Sequence, residues 1–317
     1  MKGLSLTKKK KPSVVGDKTT ADRDLSPRPT KESRHQRLVS ACFLAPSLLG
    51  VLVFFIVPFG VVIYYSLIDN PINPDFVFLD NFVKILKNAA FQKAAANTLK
   101  FSLTAVPLAV VLSLGLAVML ESKIPFRSQF RTFFLSPMMV PVASIVLIWQ
   151  VLFHYNGVVN EWLSAFGISA IDWLKSDYSM VVIVLLFLWK NLGYNMILFM
   201  AALSNIPKDM LEVARLDTSS NVQIFWHIKL RYLSPTLLFV TIFSLINSFK
   251  IFREVYLLTN DYPYDSLYMM QHFMNNTFNR LDYQKLSAAA ILMAIVIVIL
   301  IGILFIAEER YGKDVEG

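Results

Sequence analysis

Residues 205–235 read NIPKDMLEVARLDTSSNVQIFWHIKLRYLSP, a polar and charged segment set between two long apolar runs. Asn205 can cap a short helix, and Pro207 suits the first turn of that helix. The Thr-Ser-Ser-Asn sequence at 218–221 favours a break, after which a second helix can begin near Val222. The segment therefore predicts a pair of short helices within one polar loop.

Each of these two short helices carries a narrow apolar face. In the first, Ile206, Met210 and Ala214 recur at four-residue spacing. The apolar positions of the second are Val222, Phe225, Trp226 and Leu230. Such faces fit the groove of a partner protein, and they fit the surface of a membrane equally well. Periodicity alone leaves both interpretations open.

The composition of the whole chain indicates a membrane protein. Of 317 residues, 56% are hydrophobic and only 16% are charged, and the mean hydropathy is +0.54. Soluble domains contain about 25% charged residues. The single cysteine, Cys42, excludes a disulfide framework and a cysteine-based metal site, and the four histidines lack the spacing of metal ligands.

The sequence contains no G-x-x-x-x-G-K-[ST] loop, so we expect this chain not to bind ATP through that motif. We also expect it to bind no other cofactor. Energy from ATP would have to come from a partner. No nucleophile–base pair or metal-binding motif suggests catalysis either. We therefore expect a non-catalytic chain with no bound metal.

Residues 1–39 form a basic tail that we expect to be disordered and cytoplasmic. The tail holds eleven Lys and Arg residues against four acids and has almost no large apolar residues, so it cannot form a core. It is an orientation signal or a contact for anionic lipid or a partner. Residues 40–317 then make up the transmembrane domain.

Six apolar stretches in this domain are each long enough to cross the hydrocarbon as a helix. We place them at about 41–68, 97–120, 132–153, 180–203, 236–258 and 286–306. Prolines within the first three are tolerated because packed neighbours satisfy the freed backbone groups. The fold class is therefore all-α, with six transmembrane helices.

The distribution of Lys and Arg orients these helices. With the amino terminus inside, the inner segments hold 20 of these residues and the outer segments hold 6. The bias predicts that both termini lie in the cytoplasm. Residues 205–235 then lie on the cytoplasmic side, where a cytosolic ATPase can reach them.

The loop also carries a specific pattern: Glu212-x-Ala214-x-x-Asp217, then Phe225-x-x-Ile228-x-Leu230 and Pro235. This pattern resembles the cytoplasmic EAA loop of binding-protein-dependent ABC importer permeases. In that family the loop is a pair of coupling helices that docks on the ATPase subunit. The resemblance implies an ATPase-coupling role for Glu212, Ala214, Asp217, Phe225, Ile228 and Leu230.

The pattern departs from that of the family at four positions. The central glycine is replaced by Thr218, and the alanine after it by Ser219. The middle alanine is Val213, and the proline expected after Leu230 is Arg231. Because threonine accommodates a positive φ poorly, we expect a turn of different shape here.

The resemblance extends over residues 40–310. Among the matching elements are Asn81-Phe82, Trp189-x-x-x-Gly193-Tyr194 and Leu257-Leu258-Thr259-Asn260. The chain is most similar to the first permease subunit of carbohydrate importers of the maltose, oligosaccharide and glycerol-phosphate kind, with a type I importer fold. The resemblance implies a second permease, two ATPase subunits that use ATP and Mg, and an extracytoplasmic solute-binding protein. It also implies a multi-pass protein of a bacterial or archaeal plasma membrane, surrounded by lipid and without nucleic acid.

Polar residues within the spans suggest a substrate path, because such residues are costly in lipid. One cluster lies around 190–195 and the other around 244–254. From these clusters and the resemblance we expect the path to be formed by Leu192, Gly193, Tyr194, Asn195, Met196, Ser244, Asn247, Ser248 and Ile251. Alternatively, the Asn and Ser side chains bond between helices, and Lys250 pairs with Glu254. Lys190, Lys250 and Arg253 hint at an anionic solute.

Three other functions remain open at this point. The importer could carry a peptide, phosphate or polyamine in place of a carbohydrate. An ion-coupled secondary transporter would show inverted repeats, and none is convincing here. A membrane enzyme ranks last.

Overall fold

The computed structural model describes residues 31–121, 125–218 and 220–312. Within these ranges the chain is helical, with a single isolated bridge between Ile68 and Phe76. The all-α prediction is thus confirmed for the described part. The chain splits into two compact units, and the boundary between them lies between Val57 and Pro58.

In the described part of the chain, residues 31–66 are helical. The elements concerned are α1 (Lys31–Val51), a π-helical turn (Leu52–Ile56) and α2 (Val57–Ser66). Residues 31–39, which the sequence assigned to the tail, are therefore helical. The rest of the predicted tail lies outside the described residues.

The second unit, residues 58–317, contains the remaining helices. Before the polar loop these are α3 (Asp80–Leu86), α4 (Ala89–Glu121), α5 (Arg127–Leu135), a 3-10 turn (Ser136–Met139), α6 (Val142–Leu152), α7 (Val158–Ala165) and α8 (Ser179–Ser204). The loop contains α9 (Lys208–Asp217), α10 (Asn221–Ile224), a π-helical turn (Phe225–Lys229) and α11 (Leu230–Tyr232). After the loop come α12 (Ser234–Phe249), α13 (Phe252–Thr259), a 3-10 turn (Asp265–Leu267), α14 (Met270–Asn279) and α15 (Tyr283–Gly312).

Among the described residues, five helices are long and apolar enough to cross a membrane, or six if one bent pair counts as a single span. The five are Val39–Ser66, Ala89–Glu121, Ser179–Ser204, Ser234–Thr259 and Tyr283–Arg310. Five of the six predicted stretches thus fall on these helices. The second begins earlier than residue 97 because Phe91 and Ala94 are buried against Phe273 of α14, a tertiary contact that hydropathy does not reveal.

The third predicted stretch is wrong as one continuous helix over 132–153. Two segments, Arg127–Met139 and Val142–Leu152, meet at an angle of 102°. Val140 between them is extended, with φ −87° and ψ 130°. Proline disfavours helical backbone at the residue before it and donates no backbone hydrogen bond. Pro141 therefore ends the first segment and begins the second.

The fifth span is interrupted without a proline. Helix α12 ends at Phe249, α13 begins at Phe252, and the Lys250 amide donates to the Asn247 carbonyl at 3.1 Å. The sequence carried no signal for this break.

The core of the second unit forms where α4 and α8 pack along each other. Phe101 and Phe187 meet edge to face, with ring centroids 5.5 Å apart, and both are fully buried. Further along, Val106 and Val110 pack with Met196 and Phe199. Helix α12 joins this core through Ser248, whose hydroxyl lies 2.8 Å from that of Ser102.

Gly193 allows α5 to cross α8 at very close range. A Cβ at this position would lie 1.9 Å from the carbonyl oxygen of Phe134. Contacts this short do not occur between real atoms, so only glycine fits without a shift of the backbone. The place of Gly193 in the fold is therefore a helix-crossing point.

Candidate functional site

The polar loop after α8 folds into two helical segments joined by a short extended link. Thr218 has φ −150° and ψ 138°, so threonine in place of glycine makes an extended link and requires no positive φ. Ser220 caps the second segment by accepting from the Gln223 amide at 3.4 Å. The expected cap at Asn205 is wrong: Asn205 ends α8, and Pro207 precedes α9 without a side-chain cap.

Helix α9 has an inner and an outer apolar face rather than the single predicted stripe. Ala214 is buried, and so is Ile206 just before the helix. Met210, Val213 and Leu216 point outward, with exposed fractions of 40%, 59% and 86%. Met210 therefore differs in exposure from Ile206 and Ala214, the other two members of the predicted apolar stripe. Spacing of three residues places these outward side chains on one face.

The charged members of the EAA-like pattern flank this outward apolar face. Glu212 and Asp217 are both exposed, whereas Ala214 faces the body of the protein. The pattern therefore contains residues of two kinds, one packing inward and two available to a partner. Val213 and Leu216 were missed because the sequence offered no way to tell which side of α9 is covered.

The second loop segment is tied to the end of α4. The Lys229 ammonium group lies 2.6 Å from the Glu121 carboxylate, and both side chains are largely shielded from solvent. Phe225 lines a cavity of about 360 Å³ beside this ion pair. Ile228 and Leu230 are half-buried, while Trp226 is 60% exposed. The loop is thus joined to a membrane-spanning helix by a direct charge contact.

Helices α8 and α12 bring the two predicted polar clusters together. The Asn247 side-chain amide donates to the Asn191 side-chain oxygen at 3.0 Å. One turn away, the rings of Tyr194 and Phe243 lie 4.9 Å apart. All four side chains are only partly buried. They form a mixed amide and aromatic edge, which we call the amide–ring edge.

Six of the nine residues expected in the substrate path are buried between helices instead of lying on this edge. The Asn195 amide donates to the Ser244 hydroxyl at 2.9 Å, and both residues are fully buried. The buried set is Gly193, Asn195, Met196, Ser244, Ser248 and Ile251. Leu192, Tyr194 and Asn247 are the three that remain partly exposed.

The ion pair in this region differs from the one expected. Glu254 is 3% exposed and pairs with the Lys190 ammonium group rather than with Lys250. Lys250 lies on the exposed side of the break between α12 and α13. Sequence spacing favoured Lys250 because it is four residues from Glu254, but the Lys250 side chain is exposed whereas Glu254 is buried beside Lys190 of α8.

Sequence reasoning missed Phe243 and Ile246 as members of the open side of α12. Both are apolar residues in an apolar helix, so composition gave no signal for them. A helical wheel anchored on Asn247 would have placed Phe243 four residues away on the same face. In the part of the chain that the structure describes, no group of three or more His, Cys, Asp and Glu residues could hold a metal ion.

His272 on α14 is an uncharged buried group outside the spans. It is fully buried against the Phe252 ring at 4.7 Å, and neither ring nitrogen has a hydrogen-bond partner in the described chain. Burial lowers the pKa of His272 from 6.5 to about 4, opposed weakly by the Asp261 carboxylate. This imidazole is therefore neutral near pH 7.

The structure combines several apolar helices, a polar edge between two of them and a helical loop tied to one span. These features are typical of a transport component of a membrane. The chain belongs to the family of binding-protein-dependent transport system inner membrane components, whose model matches residues 105–313. The expected family is thus confirmed, and this family consists of transport components of the cell membrane.

Curated relatives resemble the chain along most of its length. It is 30% identical to the trehalose/maltose transport system permease protein MalF of Thermococcus litoralis, over 86% of this chain and 93% of that protein. It is 29% identical to the arabinooligosaccharides transport system permease protein AraP of Bacillus subtilis, over 82% and 86%.

A solved structure shares the fold. The bacterial alginate ABC transporter, determined in complex with its alginate pentasaccharide-bound periplasmic protein, contains a chain that superposes with a TM-score of 0.77. The identity is 20%, and the match covers 89% of this chain and 98% of that one. At this identity the likeness is one of fold.

Proposed function

We propose that this chain is a permease subunit of an ABC importer and forms, with a second permease, the path of a carbohydrate. An oligosaccharide or sugar derivative is the solute we expect. The relatives named for trehalose/maltose and arabinooligosaccharides support this class. The amide–ring edge carries the proposal, because amides and flat rings together match the hydroxyls and apolar faces of a sugar.

In this proposal α9 docks on a partner ATPase. Met210, Val213 and Leu216 supply an exposed apolar face, and Glu212 and Asp217 flank it with charge. An apolar centre with a polar rim is typical of a protein interface. This docking requires residues 205–235 to be cytoplasmic, with both termini inside, as the distribution of Lys and Arg predicts.

Movement of the ATPases would reach the membrane through the Lys229–Glu121 ion pair. This contact joins the loop to α4, and α4 packs along α8, which carries half of the amide–ring edge. Closure of two ATP-bound ATPases would thus rock the helices outward, and solute would enter from its binding protein. Hydrolysis in the partners would restore the inward state, with ATP and Mg bound there and not by this chain.

A pull-down from detergent tests the assembly, with this chain as bait. We expect a second permease and an ATPase with a Walker motif to be recovered.

Glu212→Lys, Asp217→Lys and Leu216→Glu should each abolish uptake while the protein still inserts. Phe166→Glu is the matched control, because Phe166 is 79% exposed but lies outside the loop. Normal uptake by the three loop variants would contradict the coupling role.

The solute class is tested by growth of a deletion strain on single carbon, phosphate or nitrogen sources. We expect a defect on a carbohydrate. A defect confined to phosphate or nitrogen sources would move the proposal to a different solute, and uptake that persists without the ATPase would refute an ABC mechanism.

A further inference from the structure

One side of the fifth span carries exposed residues on both sides of its break. Ile246, Lys250, Arg253 and Leu257 are all exposed and recur at spacings of four, three and four residues. Asn247, beside Ile246, belongs to the amide–ring edge. The exposed side of this span therefore continues from that edge toward the end of α13.

The two basic residues on this side are Lys250 and Arg253. Within the described ranges, neither Lys250 nor Arg253 forms an ion pair, and Glu254 is occupied by Lys190. Asp261, the next acid along the chain, forms no ion pair with either of them in the described ranges and accepts a hydrogen bond from Asn275 at 3.4 Å. Lys250 and Arg253 therefore add two positive charges that no ion pair among the described residues compensates.

Lys250 and Arg253 are the seventeenth and twentieth residues of the 26-residue candidate span Ser234–Thr259. Asn191, the bonded partner of Asn247, is the thirteenth residue of the 26-residue span Ser179–Ser204 and so marks mid-depth. Lys250 follows Asn247 by less than one helical turn. Charges at this depth are expensive in lipid and are found facing a water-filled cavity.

We propose that Lys250 and Arg253 form a cationic site in the path and select carbohydrates that carry an anionic group. This inference rests on the proposed function, since it needs the exposed side of α12 and α13 to line the path. A carboxylate, sulfate or phosphate on the sugar would accept charge-assisted hydrogen bonds from both side chains. The planar guanidinium of Arg253 suits such groups through two parallel hydrogen bonds.

The charge of the path can be measured without knowing the solute. In a Cys42→Ser background, Ile246→Cys provides the one thiol of this chain beside the cationic site, and the reconstituted complex without Ile246→Cys gives the background reaction of the partner subunits. Its rates of reaction with anionic sulfonatoethyl and cationic trimethylammonioethyl methanethiosulfonate are compared with those of a free thiol. We expect the anionic reagent to be favoured. Lys250→Gln and Arg253→Gln should each reduce that preference by about threefold.

Lys87→Gln is the matched control, because Lys87 is exposed but lies in the segment before α4, and it should leave the preference unchanged. A thiol that reacts with neither reagent would show that this face meets lipid, which would refute the proposed path itself. Reaction with both reagents at equal relative rates would support the path but refute the cationic site.

A second measurement tests the solute and identifies its anionic group. Parent and deletion cells are given one mixture of neutral, uronate and phosphorylated oligosaccharides, and depletion from the medium is followed by mass spectrometry. Loss of uronate or phosphorylated sugar uptake on deletion supports the proposal and distinguishes the two anions. Loss of neutral sugar uptake alone overturns it, and no loss at all counts against the proposed function.

Discussion

The side-chain amide of Asn247 bonds the side chain of Asn191 at 3.0 Å, midway along α8. Both residues are half-buried, unlike the neighbouring Asn195–Ser244 pair, which is fully enclosed. A half-buried amide pair can exchange one bond for a bond to a ligand, whereas an enclosed pair holds helices together. The two pairs lie one turn apart and differ in exposure, and only the Asn247–Asn191 pair is accessible to a ligand.

Replacing either amide of the half-buried Asn191–Asn247 pair should weaken solute binding. Asn191→Ala and Asn247→Ala each remove one hydrogen bond, which corresponds to a rise in KM of about tenfold for a loss of about 1.4 kcal/mol. Uptake kinetics in proteoliposomes measure this, with the exposed Asn279→Ala as the control. An unchanged KM together with a lower melting temperature would assign the pair to structure alone.

Gly193→Ala should destabilise the fold strongly. The added Cβ would meet the Phe134 carbonyl at 1.9 Å, so α5 must move away from α8. Gly115→Ala is the matched control, since it is also a helical glycine and nothing lies within 4 Å of its added Cβ. There we expect unchanged or slightly higher stability, because alanine favours a helix by about 1 kcal/mol. Thermal unfolding in detergent compares the two, and equal melting temperatures would contradict the close crossing.

Glu254→Gln should lower stability by about 2 kcal/mol. The substitution leaves the Lys190 charge without its partner in a partly buried site, and the loss stays below that of a fully buried pair because Lys190 keeps some contact with solvent. The double variant Lys190→Met/Glu254→Gln should recover much of the loss. Unfolding of the single and double variants forms a cycle, and strict additivity would refute the pairing.

Acid should destabilise the region around α14 through His272. Its folded pKa of about 4 lies below the ordinary value of 6.5, so the unfolded state binds the proton first. The contribution of His272 to the free energy of unfolding should be constant above pH 6.5. It should fall as the pH drops toward 4, by up to about 3 kcal/mol. His272→Phe should flatten this slope, and the exposed His154→Phe should not. A slope that persists in His272→Phe would assign it to other groups.

Hydropathy located most of the spans because a bilayer demands long apolar helices whatever their neighbours are. It failed at 132–153, where the chain turns by 102° at Pro141. Within that stretch the two prolines were visible, but a proline bends or merely interrupts a helix according to what packs around it. The break at Lys250 had no local signal at all.

The loop pattern and the polar clusters were readable because they depend on residue type and spacing. What the sequence left open was the direction of each side chain. Leu216 and Ala214 are both apolar residues of α9, yet Leu216 is 86% exposed and Ala214 is buried. Their roles follow from which side of α9 the body of the protein covers.

The sequence by itself determined a membrane-embedded, all-helical permease of this family with a helical loop after the fourth apolar stretch. Its apolar content, motif spacing and the distribution of Lys and Arg are properties of residues taken one after another. Only the tertiary structure decided that Glu254 pairs with Lys190, that Gly193 is a crossing point and that Asn247 faces Asn191. Those partners lie far apart in the chain, and they meet because packing of α4, α8 and α12 sets which faces of each helix are covered.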